Sequence, residues 1–217
     1  MPDTGVSRRF LPVDATPYAW PFDGSWSAAD TALLLLGFQR QAVDLFDAHA
    51  TVSHGADVLA HGRDAGLTVV FSRHGQDSVL SPLAQRRSQL ADQIPVRGST
   101  SWQLVLVPHA DEIVVDHGGD NAFYLTGLAD TLRSRNIRNL IVAGLPTDGL
   151  VHATMRAAND YGFECLAISD ACHGTTTARH HAQLKITTFG NGLFGTVATA
   201  ATVIAALPAY DKKDLLP

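Results

Sequence analysis

The side chains of this 217-residue chain best suited to chemistry are an imidazole, a carboxylate and two thiols. His117 titrates near neutrality in its ordinary state, so it can give or take a proton. A carboxylate that steers an imidazole makes a competent general acid or base, and Asp148 is the expected orienting partner. Two cysteines cannot supply a secreted disulfide framework, so reduced thiols are expected. Cys165 lies within the apolar run 163-FECLAIS-169 and reads as core packing. Cys172 falls just past that run, nearer the rim, and is the alternative nucleophile. The competing view is that His117 is a tolerated loop residue and that Thr147 or Asp148 merely caps a helix.

These groups need elements to position them. Continuous apolar runs predict strands at 31–38, 67–72, 112–116, 139–144 and 163–169, with a short one near 194–198. Helices are expected over 55–65, 126–136, 149–162, 177–187 and 199–207. Apolar strands alternating with helices mean a parallel sheet covered on both faces. The expected fold is therefore α/β: a single doubly wound domain, with a six-stranded parallel sheet and helices on both faces. In such a sheet ligands bind beyond the carboxyl ends of the strands. That rule singles out Gly37 and Phe38 after the first strand, Arg73 and His74 after the second, His117 after the third, and 145–150 after the fourth. Residues 1–28 read as an extended arm anchored by Tyr18, Trp20 and Phe22, leaving 29–217 as the domain. The Ser-, Gln- and Arg-bearing excursion over 73–108 is a rim or a subunit contact. Arg86, Arg87 and Arg97 within it could hold an anion.

Composition excludes several functions. Sixteen basic against 21 acidic residues leave a net charge of −5, with no basic stripe, so nucleic acid is not an expected partner. The apolar stretch 196–207 is too short to span a bilayer and the first ten residues lack a leader's apolar core, so a cytoplasmic protein is expected and no membrane partner. The tail with Lys212 and Lys213 reads as a solvated end. Ten histidines raise the question of a metal. Only His54/His61 and His180/His181 are near neighbours, and neither pair has ligand spacing. His74 and His117 could converge with Asp77, but no metal or other cofactor is expected.

The run 190-GNGLFG-195 matches a dinucleotide fingerprint yet precedes the last strand, where the motif has no meaning. The segment 144-GLPTDGLVHAT-154 is more informative, because a strand ends at Gly144 and a helix opens at once. Its amides would face anything bound there. This segment resembles the isochorismatase-like (cysteine) hydrolases, whose pattern runs approximately G-(V/I)-x-T-(D/E)-x-C-V-x-x-T. The blocks 113-IVVDHGGDNAFYLTGLADTL-132, 156-RAANDYGFECLAISDACHG-174 and 185-KITTFGNGLFGTVATAATVIAAL-207 resemble the family too. The arm 13-VDATPYAWPFDGSWSAADTALLLL-36 is most similar to the biuret and ureidoacrylate branch. The resemblance implies a six-stranded parallel sheet, a homodimer or homotetramer, and a pocket for a small amide or ureide. It also implies a cis bond in the G-x-x-T turn, expected here at Leu145–Pro146.

The resemblance further implies a catalytic Asp, Lys and Cys, and the aligned positions hold Gly37, His117 and Leu150. Gln39 keeps the family residue. Leu150 cannot form a thioester and Gly37 cannot move a proton, so Cys-dependent amidase chemistry is not expected. Asn121 aligns with a pocket Ser. Substrate contacts are expected from Gly37, Phe38, Gln39, Arg73, His74, Asn121, Phe123, Pro146, Thr147 and Leu150. Three readings follow: an enzyme using His117 on a small polar molecule, an inactive homologue that binds a ligand or an active paralogue, and a scaffold. An enzyme should show a closed pocket with a second titratable group near His117. An inactive homologue should show Leu150 filling the nucleophile's space and His117 open to solvent.

Overall fold

The computed structural model describes residues 9–75, 82–86 and 94–207. Asp77, Arg87, Lys212 and Lys213, named above, lie outside them. Six parallel strands run in the order β3-β2-β1-β4-β5-β6: β1 Thr31–Leu36, β2 Thr68–His74, β3 Ile113–His117, β4 Asn139–Gly144, β5 Glu164–Cys172 and β6 Thr196–Ala198. β1 and β4 are buried at every position, as expected of strands covered on both faces.

Side chains alternate between two cores. Leu33, Leu35, Val69, Phe71, Ile141 and Ile168 pack on one face, and Leu34, Leu36, Val70, Val115, Val142 and Ala167 on the other. The first face is covered by α1 (Arg40–Phe46), α2 (His49–Asp64) and α8 (Ala200–Ala206), which contribute Val43, Val58, Leu59 and Val203. The second is covered by α4 (Leu128–Ser134) and α5 (His152–Asp160), through Leu128, Leu132, Met155 and Ala158. Three short helices, α3 (Pro82–Arg86), α6 (Thr177–Thr187) and α7 (Phe189–Gly192), complete the described elements. The chain order reverses between β1 and β4, so the crevice predicted by the switch-point rule opens above their carboxyl ends.

The expected elements are found within a few residues, and α1, α3 and α7 are additional to them. No helix is expected over α1, although Ala42, Val43 and Phe46 give it an apolar side. α2 begins six residues earlier than the expected helix at 55. β5 runs on to Cys172 past a register shift opposite Val142 and Gly144. The arm forms isolated bridges, Val13 with Trp20 and Thr16 with Val197. Trp20 anchors it as expected and Tyr18 is half-buried, but Phe22 is exposed. Its place is taken by Trp26, fully buried edge-on to both Phe10 and Trp20, with Nε1 donating to the Leu11 carbonyl. No described helix is long and apolar enough to cross a membrane.

Candidate functional site

Two loops build the site. After β1 the chain turns at Gly37, whose φ is +64°. A Cβ placed there would lie 2.5 Å from the Leu145 carbonyl oxygen and 2.9 Å from Leu150 Cδ2. After β4 the chain passes Gly144 and enters a cis peptide at Leu145–Pro146, as expected. A turn over Thr147–Val151, kinked at Gly149, then leads into α5, with the Val151 amide donating to the Pro146 carbonyl. This turn projects Leu150 toward Gly37. The two loops are laced together by the Leu145 amide, which donates to the Leu36 carbonyl at 2.9 Å.

Strand register supplies the imidazoles. His74 and His117 are paired across β2 and β3, and their rings stack at 5.4 Å with planes 16° apart. Gln39 fixes the first of them: its amide accepts from the His74 amide at 2.7 Å, and donates to the carbonyls of His74 and Trp102. His117 is 1% exposed, and its Nδ1 lies 3.0 Å from the Gly119 carbonyl. A carbonyl only accepts, so Nδ1 carries the hydrogen and Nε2 is left as a bare acceptor. That Nε2 is buried with no hydrogen-bond partner. Burial, reinforced by the adjacent His74, pushes the His117 pKa down to about 4, against the weaker pull of the Gly119 bond and of Asp116 and Asp120. Burial lowers His74 as well, opposed by Asp120.

Two adjoining hollows share His74, Pro146 and Leu150. The larger, of about 390 Å³, is bordered by His74, His117, Asp120, Asp148, Leu150 and His152 among others. The smaller, of about 160 Å³, is bordered by Gly37, Gln39, Leu45, Leu145 and Leu150. Leu150 therefore stands as the partition between them.

Of the expected site residues, Gly37, Gln39, His74, His117, Pro146, Asp148 and Leu150 border these hollows. The others do not. Arg73 turns to the opposite face, because neighbouring residues of a strand point opposite ways. There it grips Asp116 through two bonds of 2.6 and 3.0 Å and lies 3.7 Å above Trp102. Arg97 is drawn to the same carboxylate, and Arg86 is exposed. Asn121 accepts from the Phe123 amide, a local turn contact, and Phe123 packs on Tyr161 and Phe163. Phe38 is buried in the core beside Gly55. Thr147 is buried and paired with His180 Nδ1 at 2.8 Å.

Asp148 borders the cleft without orienting His117. Its carboxylate accepts from the Thr175 amide and hydroxyl, and the Gly119 carbonyl takes the orienting role. Burial alone would raise Asp148, but the Thr175 bonds and Arg179 hold its carboxyl below the usual range. Both cysteines are buried. Burial pushes Cys165 far up and Cys172 up to about 12, so neither is a thiolate near neutral pH. Among the described residues, no group of three His, Cys, Asp or Glu side chains converges to hold a metal.

Residues that the sequence reading missed are Asp120 and His152. Asp120 follows Gly119 at the mouth. His152 opens α5 one turn past Thr147, with Nδ1 accepting from Gln183 at 2.7 Å. Burial lowers its pKa, as does Arg156. Its spacing from Asp148, i and i+4, was the available signal.

Burial of the His pair makes stability pH-dependent. The unfolded chain protonates His117 at its ordinary value of about 6.5, and the folded chain only near 4. Between those values the unfolded state binds the extra proton, so stability falls as pH falls through that window. The His117 share approaches about 3 kcal/mol at its lower end. Urea unfolding at pH 7 and pH 4.5 should show that loss in the wild type and a flatter profile in His117→Phe. Parallel profiles for the two proteins would refute it.

A doubly wound parallel sheet with a small cleft over its switch point defines an open α/β protein with a small-molecule site. The Isochorismatase domain model matches residues 31–202, and the chain belongs to the isochorismatase family. Its sequence relatives include ureidoacrylate amidohydrolases. It is 27% identical over 203 residues to the ureidoacrylate amidohydrolase RutB of Variovorax paradoxus, covering 79% of each chain. It is 29% identical over 216 residues to the RutB of Stutzerimonas stutzeri, covering 85% of this chain and 86% of that one. A cysteine hydrolase structure from Pseudomonas syringae pv. phaseolicola superposes with a TM-score of 0.74 at 22% identity, over 84% of this chain and 94% of that chain.

Proposed function

We propose that this chain is a divergent enzyme of the isochorismatase family, using His117 as a general acid or base on a small polar molecule, with no cysteine nucleophile. The observation that carries the proposal is the His117 ring itself. Its Nδ1 is pinned to a peptide carbonyl, its bare Nε2 is held out of water, and the residue borders the cleft. A base needs a fixed tautomer and a lone pair that water does not occupy, and both are present. His74 supplies the second titratable group. The positions that the family resemblance assigns to Asp, Lys and Cys hold Gly37, His117 and Leu150. An imidazole uncharged at neutral pH replaces a cationic amine there, which favours proton transfer over charge stabilisation.

One observation favours a second reading, a homologue that binds a ligand without turning it over. Leu150 occupies the space between Gly37 and the larger hollow, where a nucleophile would be needed. The burial of His117 speaks against that reading, since an idle histidine gains nothing from desolvation. The test incubates the wild type and His117→Phe with small-molecule extract, ureides, amides and isochorismate, with mass spectrometry as readout. A compound consumed by the wild type and spared by the folded variant is the expected result. No consumption by either protein would overturn the enzyme reading and leave the binding one.

A further inference from the structure

We propose that the cleft takes a small cation, a molecule with an amine, amidine or guanidinium group, held between the Asp120 carboxylate and the bare nitrogen of His117. This rests on the reading of the cleft as the ligand site and adds the ligand's charge.

The argument starts from what the walls can accept. With Nδ1 committed to the Gly119 carbonyl, His117 offers its Nε2 only as an acceptor, and no group of the described protein donates to it. On this proposal an N–H or O–H donor of the ligand is that partner. The charges on the walls then choose among donors. Asp120 is exposed at the mouth, close enough to act on both imidazoles, and Asp148 contributes a second carboxylate. No described lysine or arginine borders either hollow. The described arginines near the strand ends are engaged: Arg73 and Arg97 both close on Asp116, and Arg179 bonds the Thr175 hydroxyl beside Asp148, which leaves Asp120 as the carboxylate with the freer charge. An incoming carboxylate would meet two carboxylates and a lone pair. A cationic N–H group would form charge-assisted bonds with the same atoms.

Three probes with related planar head groups and different charges separate the alternatives: methylguanidinium, methylurea and N-carbamoylglycine. Titration calorimetry gives affinity, and nitrogen-15 spectra of the imidazoles report whether His117 is touched. Methylguanidinium should bind about tenfold more tightly than methylurea, and N-carbamoylglycine most weakly. The His117 signal should move with methylguanidinium. Asp120→Asn, an exposed substitution that leaves packing intact, should reduce the preference for the cation to threefold or less. Equal or tighter binding of N-carbamoylglycine, or a preference untouched by Asp120→Asn, would overturn the charge assignment and leave the enzyme reading standing. If no probe moves the His117 signal, the cleft fails as the ligand site and both readings fall together.

Discussion

Gly144→Ala is expected to cost about 4 kcal/mol, a large share of the stability of a domain. A Cβ at this position would lie 2.3 Å from the Leu36 carbonyl oxygen and 2.7 Å from Leu36 Cβ. Neither atom belongs to a flexible side-chain end. The contact joins the ends of β1 and β4, the two central strands, each buried along its whole length. The backbone also sits at φ +156°, where residues with a Cβ are uncommon. Relief would require the strands to separate where the Leu145 amide bonds to the Leu36 carbonyl, breaking the link that sets the turn into the cleft. Urea unfolding followed by far-ultraviolet circular dichroism measures the effect. A variant within about 1 kcal/mol of the wild type would show that the sheet can part there freely.

Gly37→Asp, which installs the carboxylate that the family resemblance would put at this position, is expected to destabilise by about 3 kcal/mol and to restore no ureide hydrolysis. Two obstacles meet the new side chain: the Leu145 carbonyl oxygen at 2.5 Å and Leu150 Cδ2 at 2.9 Å. The first is backbone. The second is the tip of a side chain that Leu150→Cys removes. Gly37→Asp/Leu150→Cys should therefore recover about 1 kcal/mol relative to the single variant, a coupling that a double-mutant cycle reads directly. The positive φ of 64° remains in both. Adding His117→Lys completes the family's trio of residue types, and the triple variant should still leave ureidoacrylate intact in a mass-spectrometric assay. Hydrolysis by the triple variant would mean that the loop backbone is interchangeable with that of the amidohydrolases, and that side chains alone separate them.

The strands were legible because parallel strands covered on both faces are apolar throughout, as 31-TALLLL-36 and 139-NLIVAG-144 are. The side of the sheet that carries the cleft was legible for a topological reason, since strand alternation places a site beyond the carboxyl ends of the strands, and the strand order then sets it above β1 and β4. Which residues face it was harder to read. Arg73 and His74 both follow the second apolar run, and only the pairing with β3 decides that His74 meets His117 while Arg73 meets Asp116. Asp148 illustrates another limit. Its partner Thr175 lies 27 residues away, on the loop after β5, and no local pattern announces such a bond. The resemblance correctly anticipated the cis turn at Pro146. Phe22 misled because an aromatic in an arm signals burial somewhere, while the arm's own bridges gave that place to Trp26.

The two cross-strand pairs on β2 and β3 have a consequence for how the molecule can change over generations. β3 is an edge strand, held on one side only. Slipping it by one residue would carry Asp116 and His117 each to the opposite face of the sheet, His117 away from the cleft. Arg73 would then lose its carboxylate while the histidine stack dissolved. Alignment of the rim and placement of the proton-transfer group are thus a single inherited character. A length change within either strand cannot alter one without the other, so new chemistry at this site has to arise by exchanging side chains in place.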